Sequence, residues 1–200
     1  MKIFKQYSYL LVFLLVSVAC ESTFTPKPYG YNYINLPAPS YEIWQDSTKP
    51  YSFEKNKHAT IKPYITKLIN EEDDYVLVEY PNMAGELYVT YQQIGNNIDT
   101  LNSLINNSFR LSEKHKVKAT GWDTKQLFNT EGKYAMAIEI DGDVPSQYQV
   151  YVHDSTTNFI RIALYFNTAL KNDSLAPVID YLKEDMHHIL KTVEWENNGK

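Results

Sequence analysis

The sequence predicts an α+β fold, a mostly antiparallel sheet flanked by two main helices. Three observations carry this. Strand-like segments cluster before and after a stretch with helical apolar spacing; a second such stretch closes the chain; and the connections between strands are short and rich in turn formers. The 200 residues are 44% hydrophobic, 22% charged and 14% aromatic, a composition that suits one globular domain. A processed chain of about 180 residues buries roughly 70% of its unfolded surface, so it can fold without disulfides, metal or cofactor.

In chain order, residues 1–19 read as an export leader: basic Lys2 and Lys5, an apolar run from Tyr9 through Val16, then Ser17-Val18-Ala19. The apolar run is about half of the roughly 20 residues that a helix needs to cross a bilayer core, so it reads as a signal and not a span. Cys20 is the single cysteine, which excludes intramolecular disulfides, CxxC redox pairs and cysteine-based zinc sites by counting. The residues before it resemble the lipobox of bacterial lipoproteins, with Ser17 where leucine is more usual. That resemblance implies cleavage after Ala19 and a covalent diacylglyceryl lipid on Cys20. The alternative is an ordinary secretory signal that borders a cysteine. Each buried CH₂ contributes about 0.8 kcal/mol, and two or more acyl chains exceed the marginal hold of one, so a lipidated Cys20 would anchor the chain to a membrane permanently. In some bacteria, lipoproteins bound for the cell surface typically carry an acidic cluster after the cysteine. Here only Glu21 is acidic before Thr25, so the expected place is the cell envelope, on the periplasmic side of the outer membrane.

Residues 20–40 read as a lipid-anchored tether, with Pro26, Pro28, Gly30, Pro37 and Pro39 and almost no helical periodicity. About 20 residues in extended form would reach about 60 Å. Tyr29, Tyr31, Tyr33, Ile34 and Leu36 are too apolar for a purely solvated linker. They either pack along the domain that follows, residues 41–200, or form a strip that a partner covers. The run from Thr25 to Pro37, then Tyr41-Glu42-Ile43-Trp44 and Pro50-Tyr51-Ser52-Phe53-Glu54, resembles the start of the gliding motility lipoprotein GldD family of Bacteroidota. The likeness continues through Leu87-Tyr88-Val89-Thr90-Tyr91, Asn107 to Ala119, Ala163 to Asn167, Asp173 to Val178 and Trp195. It implies an envelope protein needed for surface gliding and linked to type IX secretion, with other proteins of that machinery as partners and no known reaction.

Within the domain, strands are expected at Ile61 to Lys67, Tyr75 to Tyr80 and Glu86 to Tyr91, two of them forming a hairpin around Pro81-Asn82-Met83-Ala84-Gly85. A helix follows from about Asn97 to Lys116, with Ile98, Leu101, Ile105, Phe109 and Ser112 as one apolar stripe that covers a sheet. Four more strands are expected at Val117 to Trp122, Lys133 to Ile140, Gln147 to His153 and Phe159 to Asn167. The last of these is apolar nearly throughout, as a central strand covered on both faces would be. The closing helix runs from about Ser174, its N-cap, to Val193, with Pro177 tolerated in the first turn. Leu175, Val178, Leu182, Met186, Ile189 and Val193 form its apolar stripe. The order of elements is similar to that of the Mog1/PsbP-like sandwich, a likeness of architecture that implies nothing about function.

No residue pattern assigns chemistry, and no catalytic, cofactor-binding or metal-ligating residue is expected. His187 and His188 diverge by about 100° on a helix and cannot share a metal, and no HExxH accompanies them or His58, His115 and His153. Asp141-Gly142-Asp143 lacks the closing glutamate of a calcium loop, position 152 being valine, and reads as a turn. Glu71-Glu72-Asp73-Asp74 reads as a solvated loop. GxSxG, GxGxxG and GxxxxGK are all absent. Removal of Lys2 and Lys5 leaves 17 basic against 24 acidic residues, and the nearest thing to a basic cluster, Lys114, Lys116 and Lys118, reads as a solvated helix end. Nucleic acid is therefore not expected as a partner.

The 17 tyrosines, several on expected strands (Tyr88, Tyr91, Tyr134, Tyr148, Tyr151, Tyr165), suit half-exposed sheet faces and interfaces alike. The function expected is that of a non-enzymatic envelope lipoprotein acting through protein contacts. The alternative is a carrier of a small apolar ligand, which needs an apolar pocket of about 300 Å³ or more between helix and sheet.

Overall fold

Antiparallel pairing organises the residues that this computed structural model describes, 35–63, 74–130, 132–167 and 172–196. In chain order the elements are β1 (Tyr41–Gln45), β2 (Tyr51–Asn56), β3 (Thr60–Pro63), β4 (Asp74–Tyr80), β5 (Gly85–Gln93), α1 (Ile98–Glu113), β6 (Ala119–Thr130), β7 (Lys133–Gly142), β8 (Tyr148–His153), β9 (Asn158–Phe166), α2 (Asn172–Thr192) and β10 (Glu194–Trp195). A larger sheet has the strand order β3-β4-β5-β9-β8-β7-β6, and a smaller one the order β1-β2-β10. The α+β architecture expected from the sequence is the one observed, with β9 at the centre of the larger sheet and β4–β5 as the expected hairpin.

One face of the larger sheet carries the main core. Val76, Val78, Leu87, Val89, Ile162 and Leu164 meet Val178, Leu182, Met186 and Ile189 of α2, and Tyr51 and Phe53 of β2 close the layer from the smaller sheet. The helical stripe read from the sequence is thus the buried one. On the opposite face α1 seats Leu101 against Ile94, Tyr151 and Phe159, and Phe109 against Ile138, Ile140 and Trp122. Asn97 caps α1, its side-chain oxygen accepting from the backbone of Asp99 at 2.8 Å and of Thr100 at 3.3 Å. Asp154 organises the β8–β9 turn by accepting from the backbone N–H groups of Thr156, Thr157 and Asn158 at 2.7–2.9 Å.

The structure departs from the sequence reading in several places. Ile98 is 65% exposed, because Ile94, just ahead of the cap, takes the apolar seat at that end of α1. Val117 is 92% exposed in a 3₁₀ turn, Lys116–Lys118, and the strand after it starts at Ala119 and runs on to Thr130, well beyond Trp122. This long continuation lies at the sheet edge, with an irregularity between Gln126 and Phe128, so its polar residues show no buried alternation. Strands β1, β2 and β10 were not foreseen. Of the expected strand Ile61 to Lys67, residues 64–67 lie outside the described residues, as does the side chain of Ser174. Leu36 packs at the margin of the core, near a hollow of about 280 Å³ beside His58, Tyr80 and Met83, while Tyr29, Tyr31, Tyr33 and Ile34 lie outside the described residues.

The smaller sheet is fastened to the rest by one buried carboxylate. Asp185 of α2, 1% exposed, accepts from Tyr41 Oη of β1 at 2.7 Å, Asn56 Nδ2 of β2 at 2.8 Å and Tyr80 Oη of β4 at 3.0 Å. Burial, and then the carboxylate itself, hold the phenols of Tyr41 and Tyr80 far above the ordinary tyrosine value, so both remain donors. Beside them Tyr41 stacks on His188, ring centroids 3.6 Å apart, and His188 Nε2 lies 2.7 Å from Glu54 Oε2.

Two tyrosines make a matched test. The hydroxyl of Tyr51 is buried without a partner among the described residues, whereas that of Tyr80 donates to Asp185. Tyr51→Phe is expected to leave stability unchanged or slightly higher, and Tyr80→Phe to lower it by about 1–3 kcal/mol. Asp185→Ala, which strands three donors, is expected to cost about 3–5 kcal/mol. Urea midpoints of the three variants check this, and equal effects of the two tyrosine changes would contradict it.

Burial also lowers the pKa of His153 and His187 below the ordinary imidazole value of about 6.5. The unfolded chain then takes up protons first. The contribution of these imidazoles is fully present above pH of about 6.5 and is lost as pH falls from there through the lower folded-state values. Urea midpoints measured from pH 8 to 5 are expected to fall over that window, and to fall less in His187→Gln.

Candidate functional site

Seven strands spaced about 4.8 Å apart make a sheet about 30 Å wide, while a helix is only about 10 Å across. On its own face α1 packs over β7, β8 and β9 and leaves β4 and β5 uncovered. The alternation of β5 follows from this: Leu87 and Val89 point into the main core, while Glu86, Tyr88, Thr90 and Gln92 line an open cleft of about 540 Å³. Asn107, Ser108 and Leu111 of α1 form one wall, and Tyr75, Arg161 and Tyr165 complete the floor.

The cleft has two electrically different ends. In the β5–β9 register Thr90 sits opposite Arg161 and Glu86 opposite Tyr165, so the two charges are separated by four residues, about 13 Å along the strand. Glu86 is satisfied: it accepts from Tyr88 Oη at 2.7 Å and from Asn167 Nδ2. Arg161 is not. Its Nη2 donates to Gln149 Oε1 at 2.6 Å, its Nε is closed off from solvent with no hydrogen-bond partner, and no carboxylate lies within ion-pair distance among the described residues. Burial pushes the guanidinium pKa down, opposed weakly by the neighbouring Tyr165 and Tyr75 phenols. Tyr88 and Tyr165 meet edge to face at 5.3 Å, and His115 stands edge-on to Tyr165 at 6.2 Å. Burial first, then the charges of Arg161 and Lys114, lower the His115 pKa.

Other residues singled out in the sequence do not converge here. Cys20 and the acidic residues Glu71, Glu72 and Asp73 lie outside the described residues, and Asp74 pairs with Lys49. His187 and His188 turn to different sheets, the first to Tyr148 Oη at 2.6 Å and the second to Glu54. Asp141 and Asp143 flank Gly142, whose φ is 108° and whose Cα faces backbone: a Cβ there would lie 2.9 Å from the Lys118 carbonyl oxygen. That close approach accounts for the glycine without a metal loop. Among the described residues no three His, Cys, Asp or Glu side chains are placed to share a metal ion, and no helix is long and apolar enough to cross a membrane.

The tyrosines divide. Tyr91, Tyr148 and Tyr151 are buried in the two cores, while Tyr88 and Tyr165 face the cleft. The cleft exceeds the size set for an apolar carrier, but Arg161, Glu86, Gln92 and Asn107 make its lining polar. The sequence signals Arg161 only as one cation in the otherwise apolar run Phe159-Ile160-Arg161-Ile162-Ala163-Leu164. Replacing Tyr88 and Tyr165 by alanine, singly and together, is expected to give a coupling energy of about 0.5–1.5 kcal/mol in a double-mutant cycle with the fold retained. Additive effects in the urea titrations would show that the ring contact does not form.

A family profile described as gliding motility lipoprotein GldD matches residues 21–195. A search of curated proteins finds no match. Among solved structures, the chain is similar to the solution structure of cyanobacterial PsbP (CyanoP) from Synechocystis, with a TM-score of 0.51 and 10% identity over 84% of this chain and 99% of that one. At that identity the likeness concerns the fold alone, which is PsbP-like.

Proposed function

The chain belongs to the gliding motility lipoprotein GldD family, and on that premise we propose that it is a non-enzymatic component or assembly factor of the gliding and type IX secretion machinery in a Bacteroidota cell envelope. In this reading the leader 1–19 is removed, Cys20 carries the covalent lipid, and residues 20–40 hold the domain on the periplasmic side of the outer membrane. The observation that carries the proposal is the extent of the family match, which begins at the residue after Cys20 and ends with the last residue of β10. It acts by contact with other proteins of the machinery. Apolar surface for such contact exists on the edge strand β1, where Ile43 is 73% exposed, and on the half-exposed tyrosines of the uncovered sheet face.

A strain lacking the chain is expected not to glide. Reintroduced Cys20→Ala is expected to leave the membrane fraction and fail to restore motility, whereas the unaltered chain restores it. Photo-crosslinking from position 43 in living cells is expected to capture other motility or secretion proteins. Normal gliding in the deletion strain, or a Cys20→Ala chain that still fractionates with membranes, would overturn the reading.

A further inference from the structure

We infer that the cleft between α1 and strands β4, β5 and β9 binds a small organic monocarboxylate, its carboxylate set against Arg161 and its body lying on the Tyr88–Tyr165 pair. This does not depend on which machinery the chain serves. A cleft of about 540 Å³ falls within the range of small-molecule sites. Among the described residues its one cation makes a single hydrogen bond, to Gln149, and has no ionic partner. A guanidinium removed from water without a counter-charge is a cost to the fold, and an apolar side chain would suit the rest of β9 equally well. A ligand carboxylate supplies the missing charge.

Charge balance selects the class. One guanidinium offsets one negative charge, and Glu86 at the far end of the same cleft is itself a carboxylate, so a dianionic phosphate would be left with excess negative charge. The planar donor fork of arginine also matches a planar carboxylate. The edge-to-face rings of Tyr88 and Tyr165 offer an aromatic floor for the apolar part, and Thr90, directly across from Arg161 in the register, adds a hydroxyl.

The test uses the full-length chain in a neutral detergent, titrated with benzoate, benzamide and phenyl phosphate and followed by saturation-transfer NMR. Benzoate is expected to saturate, benzamide to bind at least about tenfold more weakly for want of the charge, and phenyl phosphate to bind no more tightly than benzoate. Arg161→Met is expected to lose benzoate affinity by at least about tenfold with the fold retained. Thr90→Phe fills the cleft and leaves the cation, so it keeps the test decisive if Arg161→Met fails to fold; it is expected to lose binding to the same degree. Changing Glu71 and Glu72 to glutamine and Asp73 to asparagine is expected to leave benzoate affinity unaltered. The inference is overturned by absence of saturable benzoate binding up to about 20 mM, by equal binding in Arg161→Met or Thr90→Phe, or by tighter binding of phenyl phosphate. A marked gain of affinity in the acidic-run variant would overturn it too, by making that run the natural occupant.

Discussion

The assembly of two unequal sheets rests on the Asp185 carboxylate. Apolar contact between α2 and the strands around it is non-directional and would tolerate sliding. Three donors, from β1, β2 and β4, converge on two oxygens and admit one arrangement. The β1–β2 hairpin especially needs this. An isolated hairpin is marginal in water, and β1 buries little of itself. Glu54 and Thr192 add a further tie, the backbone N–H of Glu54 donating to Thr192 Oγ1 at 3.1 Å. A single buried carboxylate surrounded by neutral donors thereby orients three strands whose donors lie 105 to 144 residues away from it in sequence.

What could be read from the sequence was what depends on local period. The α2 stripe from Val178 to Val193 needs only the 3.6-residue spacing, and the apolar run of β9 needs only a central place in the sheet. The smaller sheet was hidden because its pairing is long-range. Trp195 pairs with Tyr51, and neither segment carries a period that announces the other. Tyr41 and Trp44 stand at the start of the domain beside a proline-rich stretch, where no strand is expected. The far half of β6 was hidden for the opposite reason: an edge strand with polar faces looks like a loop.

The cleft was illegible in a different way. Its residues come from four elements, and whether Arg161 is paired depends on where every carboxylate ends up after folding. Glu86 could as readily have met it; the register places Glu86 opposite Tyr165 instead, beside Tyr88 and Asn167. The same alternation that sends Leu87 and Val89 inward sends Glu86, Tyr88 and Thr90 to a face too broad for one helix to cover. Among the described residues tyrosine therefore serves interior packing, the hydrogen bonds to Asp185 and an open aromatic floor, which composition alone cannot distinguish.

The position of Tyr41 has a mechanical meaning. It is the first residue of β1, where the chain that leads from the amino terminus enters the sheet, and it is also the residue clamped by Asp185 and stacked on His188. Tension transmitted along that chain meets the packed Leu36, then the Ser40 carbonyl, which accepts from Lys57 N–H at 2.7 Å, and then an aromatic ring held by a short hydrogen bond to a helix, before it can peel the ladder between Tyr41↔Asn56 and Gln45↔Ser52. The fold thus sets a side-chain rivet at the point where a pull would begin to unzip the ladder.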